Sequence, residues 1–250
     1  MAQVDACGLS PWANRNRRQM PPIPAWDARP LLGKLEDPFT MFPVEGVSDT
    51  LFAAIDETET RKAERMGWWG VARKYWSVED EYDHEKVGLL VGAVFVLAQA
   101  CITQTVSILN ELRKLLPPES VIPKDKPGKL EKHAEIEPRT KRSKLVVINA
   151  VSNYFKHAYG WPEKWNLVSK NGSQAEAETI RIVLQLGLKP EAEMPDNLLL
   201  AAQCLGLGPN NPRAVASSIQ QWREEWAREL YPVFGLPDPN SLRDEEDSRQ

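Results

Sequence analysis

The residues best placed to do chemistry lie together at Ser152-Asn153-Tyr154-Phe155-Lys156-His157, where the apolar run that starts at Leu145 comes to an end. His157 is one of only three histidines among 250 residues, so acid–base work has few other carriers. On a helix, Asn153 and His157 stand four apart and share a face, while Lys156 projects roughly 100° away. The dipole at a helix C-terminus favours imidazolium, which suits a general acid; the neutral ring would serve as a base. Asn153, Lys156 and His157 are therefore the catalytic candidates, able in principle to position and protonate a phosphodiester. The same groups can equally cap a helix and fill an aromatic-lined cleft, and both readings stay open at this level.

A second cluster precedes them. Arg139, Lys141, Arg142 and Lys144 form a basic excess just before the run, and they are the candidate RNA-binding residues. Upstream, Lys124, Lys126, Lys129 and Lys132 are largely offset by Asp125, Glu131, Glu135 and Glu137. The formal charge of −4 provides no global basic field, so nucleic acid would have to be held by a local patch. Histidines at 84, 133 and 157 and cysteines at 7, 101 and 204 lack metal-ligand spacing. No metal and no cofactor is expected. Unpaired cysteines in apolar runs fit a reducing, cytoplasmic setting, and the N-terminus lacks the apolar core of a signal peptide.

The elements that must position these groups are helical. Residues 1–47 carry seven prolines interleaved with Trp12, Trp26, Phe39 and Phe42, which predicts an irregular arm that wraps the body and docks its aromatics. Residues 48–236 read as the helical domain and 237–250 as a polar, frayed tail. Gly67-Trp68-Trp69-Gly70 predicts a break or kink, and Ser77-Val78-Glu79-Asp80 resembles a capping box. No proline intervenes from there to Leu116, which predicts a helix of nearly 40 residues. Its uncharged stretch, residues 87–110, turns polar too soon for a comfortable membrane span, so it reads as a buried central helix with no membrane partner. Further helices are predicted over about Thr140–Ala158, with Leu145, Val146, Asn149 and Val151 on its buried side, from Ser173 to Gly187, and over about Asp196–Leu205. A last one is capped by Asn211-Pro212, striped by Val215, Ile219, Trp222, Trp226 and Leu230, and ended by Pro232. Tyr154, Phe155, Tyr159, Trp161 and Trp165 read as core packing sooner than as a base-stacking platform.

Ser152-Asn153-Tyr154-Phe155-Lys156-His157, on a major helix of a helical protein, resembles the signature of the HEPN superfamily. The resemblance implies an all-α, up-and-down helical bundle, here with an extended Pro/Trp-rich N-terminal arm. It also implies a prokaryotic defence or toxin–antitoxin role, metal-independent ribonuclease chemistry, and a cleft completed by a second protomer. Asn153 and His157 match the polar and histidine positions of that signature, but Ala150, Val151 and Ser152 hold no arginine where the family places one. Two functions follow: an HEPN-like protein directed at RNA or catalytically degenerate, and a non-catalytic interaction protein such as an antitoxin, immunity or scaffold subunit. Possible RNA, a protein partner or a second copy of the chain are the expected partners.

Overall fold

The computed structural model describes residues 25–69, 78–157 and 174–237. It is an all-α bundle of packed helices. In chain order these are α1 (Ala25–Glu36), α2 (Phe42–Trp69), α3 (Val78–Lys114), α4 (Lys126–Glu131), α5 (Lys144–Lys156), α6 (Gln174–Leu186), α7 (Met194–Cys204) and α8 (Ala214–Val233), with a 3-10 turn at Pro38–Met41. Among the described residues the only strand-like pairings are two isolated bridges, Ile136 with Ser143 and Gly208 with Asn211.

Helix α3, 37 residues and about 55 Å long, is the spine against which α1, α2, α5, α7 and α8 pack. Val91, Val94, Phe95, Ala98, Ile102, Leu109 and Leu112 recur at helical spacing and are all buried. Thr103, Gln104, Ser107 and Asn110 fall on the exposed side, while Thr105 is buried and donates to the Cys101 carbonyl. By length and composition α3 is the one described helix able to cross a membrane; half of its most apolar stretch is buried within the bundle.

Two glycines one turn apart set how closely α3 meets its neighbours. A Cβ at Gly92 would lie 2.4 Å from the Phe155 ring of α5, and one at Gly88 would lie 2.8 Å from the Pro195 Cα of α7. The ring can rotate aside, whereas the Pro195 backbone cannot. Gly88→Ala should therefore cost about 1–3 kcal/mol by overpacking, and Gly92→Ala less. Thermal melts of the two variants check the order; equal or negligible losses would mean that α7 is free to move.

The N-terminal expectation is corrected where the structure describes it. Residues 25–47 are not irregular: they form α1, the 3-10 turn and the start of α2. Pro30 lies inside α1, where a proline costs on the order of 3 kcal/mol. Ala28, Leu32 and Leu35 bury one face completely, and each leucine returns about 1.5–3 kcal/mol. Packing thus outweighs the breaker. Pro38 opens the 3-10 turn behind the Asp37 cap, whose carboxylate accepts from the Phe39 N–H at 3.0 Å, and Pro43 falls in the first turn of α2, where N–H groups lack partners anyway. Trp12, the side chains of Trp26, Trp68 and Trp69, the 70–77 and 158–173 stretches and the 238–250 tail lie outside the described residues.

A buried cation holds this segment in place. Arg223 of α8 is fully buried, and its guanidinium donates to the carbonyls of Lys34 and Asp37, to Thr40 Oγ1 (3.0 Å) and to Gln220 Oε1 (3.0 Å). The Lys34 carbonyl lies in the last turn of α1, where positive charge suits the helix dipole, and the Asp37 carbonyl also accepts from the Thr40 N–H of the 3-10 turn. Burial pushes the Arg223 guanidinium below its ordinary value.

Smaller boundary corrections have local causes. Helix α5 starts at Lys144 and not near Thr140, because Ser143 Oγ accepts from the Val146 N–H (3.2 Å) while donating to the Leu130 carbonyl (2.7 Å). Glu137 organises the preceding loop, its carboxylate accepting from the N–H groups of Arg139 (3.0 Å) and Thr140 (2.7 Å). Asn211 pairs with Gly208 in a turn, so α8 begins at Ala214, and Pro232 lies within its last turn. The predicted stripe Val215, Ile219, Trp222, Trp226 and Leu230 is buried throughout.

Candidate functional site

Helix α5 is apolar on the side that enters the core, with Leu145, Val147, Ile148, Ala150 and Val151 buried. Beside it Asn149, Ser152, Asn153 and Lys156 follow at intervals of three, one and three, forming a narrow polar row. That row meets Gln99, the first polar residue after the apolar run of α3, at the α3–α5 contact.

Gln99 organises the row. Its amide nitrogen donates to Asn149 Oδ1 (3.0 Å) and Asn153 Oδ1 (2.9 Å), and its oxygen accepts from Ser152 Oγ (3.1 Å) and from the Lys156 ammonium. From α4, Lys126 Nζ donates to Asn149 Oδ1 at 3.0 Å. Partial loss of hydration pushes the Lys126 ammonium below its ordinary value although the side chain remains exposed, and the nearby Lys156 charge pushes the same way. Two cations thus converge on one short stretch of surface, linked through neutral carboxamides and not through a carboxylate.

The catalytic candidates are only partly brought together. Asn153 and Lys156 both meet Gln99. His157 terminates α5, its backbone N–H donating to the Asn153 carbonyl at 3.2 Å, and its ring is exposed with no side-chain partner among the described residues. The three positions ahead of it that could have held an arginine, Ala150, Val151 and Ser152, are all buried, at 1 % exposure or less. Tyr154 is core, bonded through its hydroxyl to Asn197 Nδ2 (2.9 Å) and pushed up by burial, and Phe155 packs on Gly92. Tyr159, Trp161 and Trp165 lie outside the described residues.

Most of the basic cluster is committed to structure. Arg139 donates to the Leu186 carbonyl at the end of α6 (3.1 Å), Arg142 pairs with Glu131 (2.7 Å) and Glu178 (3.3 Å), and Lys144 pairs with Glu135 (2.7 Å). Lys141, in a left-handed turn (φ 57°), is exposed without a side-chain partner among the described residues. Of the four expected RNA-contacting residues, Lys141 alone has no side-chain partner among the described residues.

Sequence reasoning missed Gln99, Asn149 and Lys126. Asn149 carries a readable signal, being one turn before Asn153, but its apolar neighbours place it on the buried side in sequence; it is half-buried and bonded to Lys126. Gln99 and Lys126 reach the row from 50 and 23 residues away, a pairing that no local pattern encodes.

A second polar cluster joins α8 to the segment after α4. Glu229 binds Lys132 (2.6 Å) and His133 Nε2 (2.7 Å), His133 meets Trp226 edge-on at 4.8 Å, and the Lys132 ammonium lies 4.9 Å from the same ring. Burial acts to raise the Glu229 carboxyl, but hydrogen bonds from Lys132 and His133 outweigh it and hold it below the usual carboxylate range. This cluster is charge-paired and closed, and it fastens the loop. Elsewhere His84 pairs with Asp196 at 3.0 Å, and no trio of His, Cys, Asp or Glu among the described residues could hold a metal ion.

The chain is thus an all-α helical protein with a donor-rich polar row at one helix end. No protein-family model, curated protein or solved structure matches it.

Proposed function

We propose that this chain is an HEPN-like helical protein of a prokaryotic defence or toxin–antitoxin type system, one that holds RNA without cutting it. The observation that carries the reading is the end of α5, where Asn153, Lys156 and an exposed His157 occupy one turn while the positions for an arginine are sealed in the core. A cleavage site must stabilise charge that develops on the phosphate, and a cation rooted at Ala150, Val151 or Ser152 would have to displace packed side chains. Binding requires less. It needs donors and positive charge, which the row supplies. A cytoplasmic setting and a second copy or protein partner belong to the same proposal.

The test compares wild type and His157→Ala on a fluorescent single-stranded RNA in EDTA. Both proteins should bind, with His157→Ala changing affinity only slightly, and neither should cut. EDTA-resistant cleavage that falls about 10²- to 10⁴-fold in His157→Ala would instead establish a ribonuclease. Absence of RNA binding would favour the second reading, a non-catalytic interaction protein.

One observation supports that second reading. Phe39 and Phe42 are 66 % and 56 % exposed and stack edge-on at 5.0 Å. They belong to the segment that also supplies Pro38, Met41 and Glu45 to a shallow cleft against Gln220 and Glu224 of α8. Exposed aromatic side chains beside a cleft suit protein contact.

A further inference from the structure

We infer that Lys126 of α4 and Lys156 of α5, with the Asn149 and Asn153 amides between them, form a clamp for a phosphate-class anion. The inference rests on the RNA reading only for what carries the phosphate. Its basis is the accounting of donors and acceptors. Asn149 Oδ1 is taken by Lys126 and Gln99, Asn153 Oδ1 by Gln99, and Gln99 Oε1 by Ser152 and Lys156. With both asparagine oxygens turned inward, both Nδ2 groups must face away, and neither donates to any atom among the described residues. Each ammonium has three N–H donors and uses one of them here. The side chains in this row are left with spare donors and two positive charges, and their acceptor oxygens are already engaged.

A surface lysine usually settles this imbalance with a carboxylate, and this protein does so nearby. Lys144 has Glu135, Arg142 has Glu131 and Lys132 has Glu229. Among the described residues Lys126 and Lys156 do not, and the Lys156 charge disfavours that of Lys126. An anion with several acceptor oxygens placed between them would relieve that repulsion and satisfy the amide donors together. Tetrahedral phosphate, free or as a link in an RNA backbone, has that shape and charge. Because α3 holds Gln99 and α5 holds both asparagines, most of the site is preorganised on rigid helices.

The test uses the full chain with Lys126→Gln and Lys156→Gln combined; both side chains are exposed, so the fold should persist, and circular dichroism verifies it. Two probes are titrated: a short fluorescent oligouridylate in EDTA, and inorganic phosphate against chloride at equal ionic strength, read as a melting-temperature shift. The double variant should lose on the order of tenfold or more in RNA affinity, with the salt dependence falling by about 1.4 log units per log salt for two released single-strand contacts. It should also lose any melting-temperature shift that phosphate confers on wild type. Loss of RNA binding alone assigns the clamp to a nucleic-acid backbone. Phosphate stabilisation confined to wild type, with no RNA binding, keeps the clamp for a free phosphate and removes the RNA reading. RNA binding unchanged in the double variant overturns the clamp and leaves the RNA reading standing. No difference between the proteins with either probe overturns the clamp outright.

Discussion

Arg223→Ala should be among the most damaging single substitutions in this protein, lowering stability by about 3–5 kcal/mol, as expected when one partner of a buried charged network is removed. The guanidinium is fully buried and serves the Lys34 and Asp37 carbonyls, Thr40 and Gln220 together. Deleting it leaves the Lys34 carbonyl of α1 and the Gln220 amide oxygen facing a cavity without this donor, and the Asp37 carbonyl with only the Thr40 N–H. Each such group carries its own desolvation penalty of roughly 1–3 kcal/mol. Arg223→Met should recover part of the loss, since its stem keeps the apolar contacts while the donors vanish. Arg223→Lys should not rescue fully, because one ammonium cannot reproduce a planar fork. Urea denaturation of the three variants checks the ranking. A loss below about 1 kcal/mol for Arg223→Ala would show that α1 is held by its buried leucines alone.

Trp222→Ala should have a comparable effect, about 3–5 kcal/mol for emptying a large core site. Trp222 is fully buried, and its indole N–H donates to the carbonyls of Lys129 (3.2 Å) and Lys132 (3.1 Å). Helix α4 has only six residues, too few to be stable in isolation. It is held by this donor and by Lys129, whose buried ammonium donates to the carbonyls of Lys124 (2.8 Å) and Asp125 (3.2 Å). Trp222→Phe keeps most of the ring and removes the donor, so it should cost about 1–3 kcal/mol. Because α4 carries Lys126, amide hydrogen exchange over residues 124–132 should rise in both variants, more in Trp222→Ala. If exchange there is unchanged while global stability falls, α4 is held by something other than the indole.

Both predictions concern residues that the sequence marks poorly. The Trp222 position in an apolar stripe was plain, but its N–H partners were not, since they are carbonyls some 90 residues away. Arg223 reads in sequence as an ordinary charged residue beside that stripe; its burial follows from α1 and the 3-10 turn closing over it.

What the sequence alone determined was whatever depends on local periodicity and capping. The long α3 between Val78 and Lys114, the buried face of α8, the core role of Tyr154 and the helix ending at Gly187 are all properties of short windows. Each rests on side chains spaced to share a face, or on a backbone turn that glycine tolerates. Only the tertiary structure decided the rest. Pro30 predicts a break, and the burial of Leu32 and Leu35 against other helices overrides it. The basic residues 139–144 form a patch on paper, yet carboxylates from Glu131, Glu135 and Glu178, together with the Leu186 carbonyl, absorb most of it. Lys126 and Gln99 join Asn149 because α3, α4 and α5 meet at one point. Hydrogen bonds and charges act over a few ångströms of space regardless of chain separation, so which polar groups stay free for a ligand is settled only when distant segments come into contact.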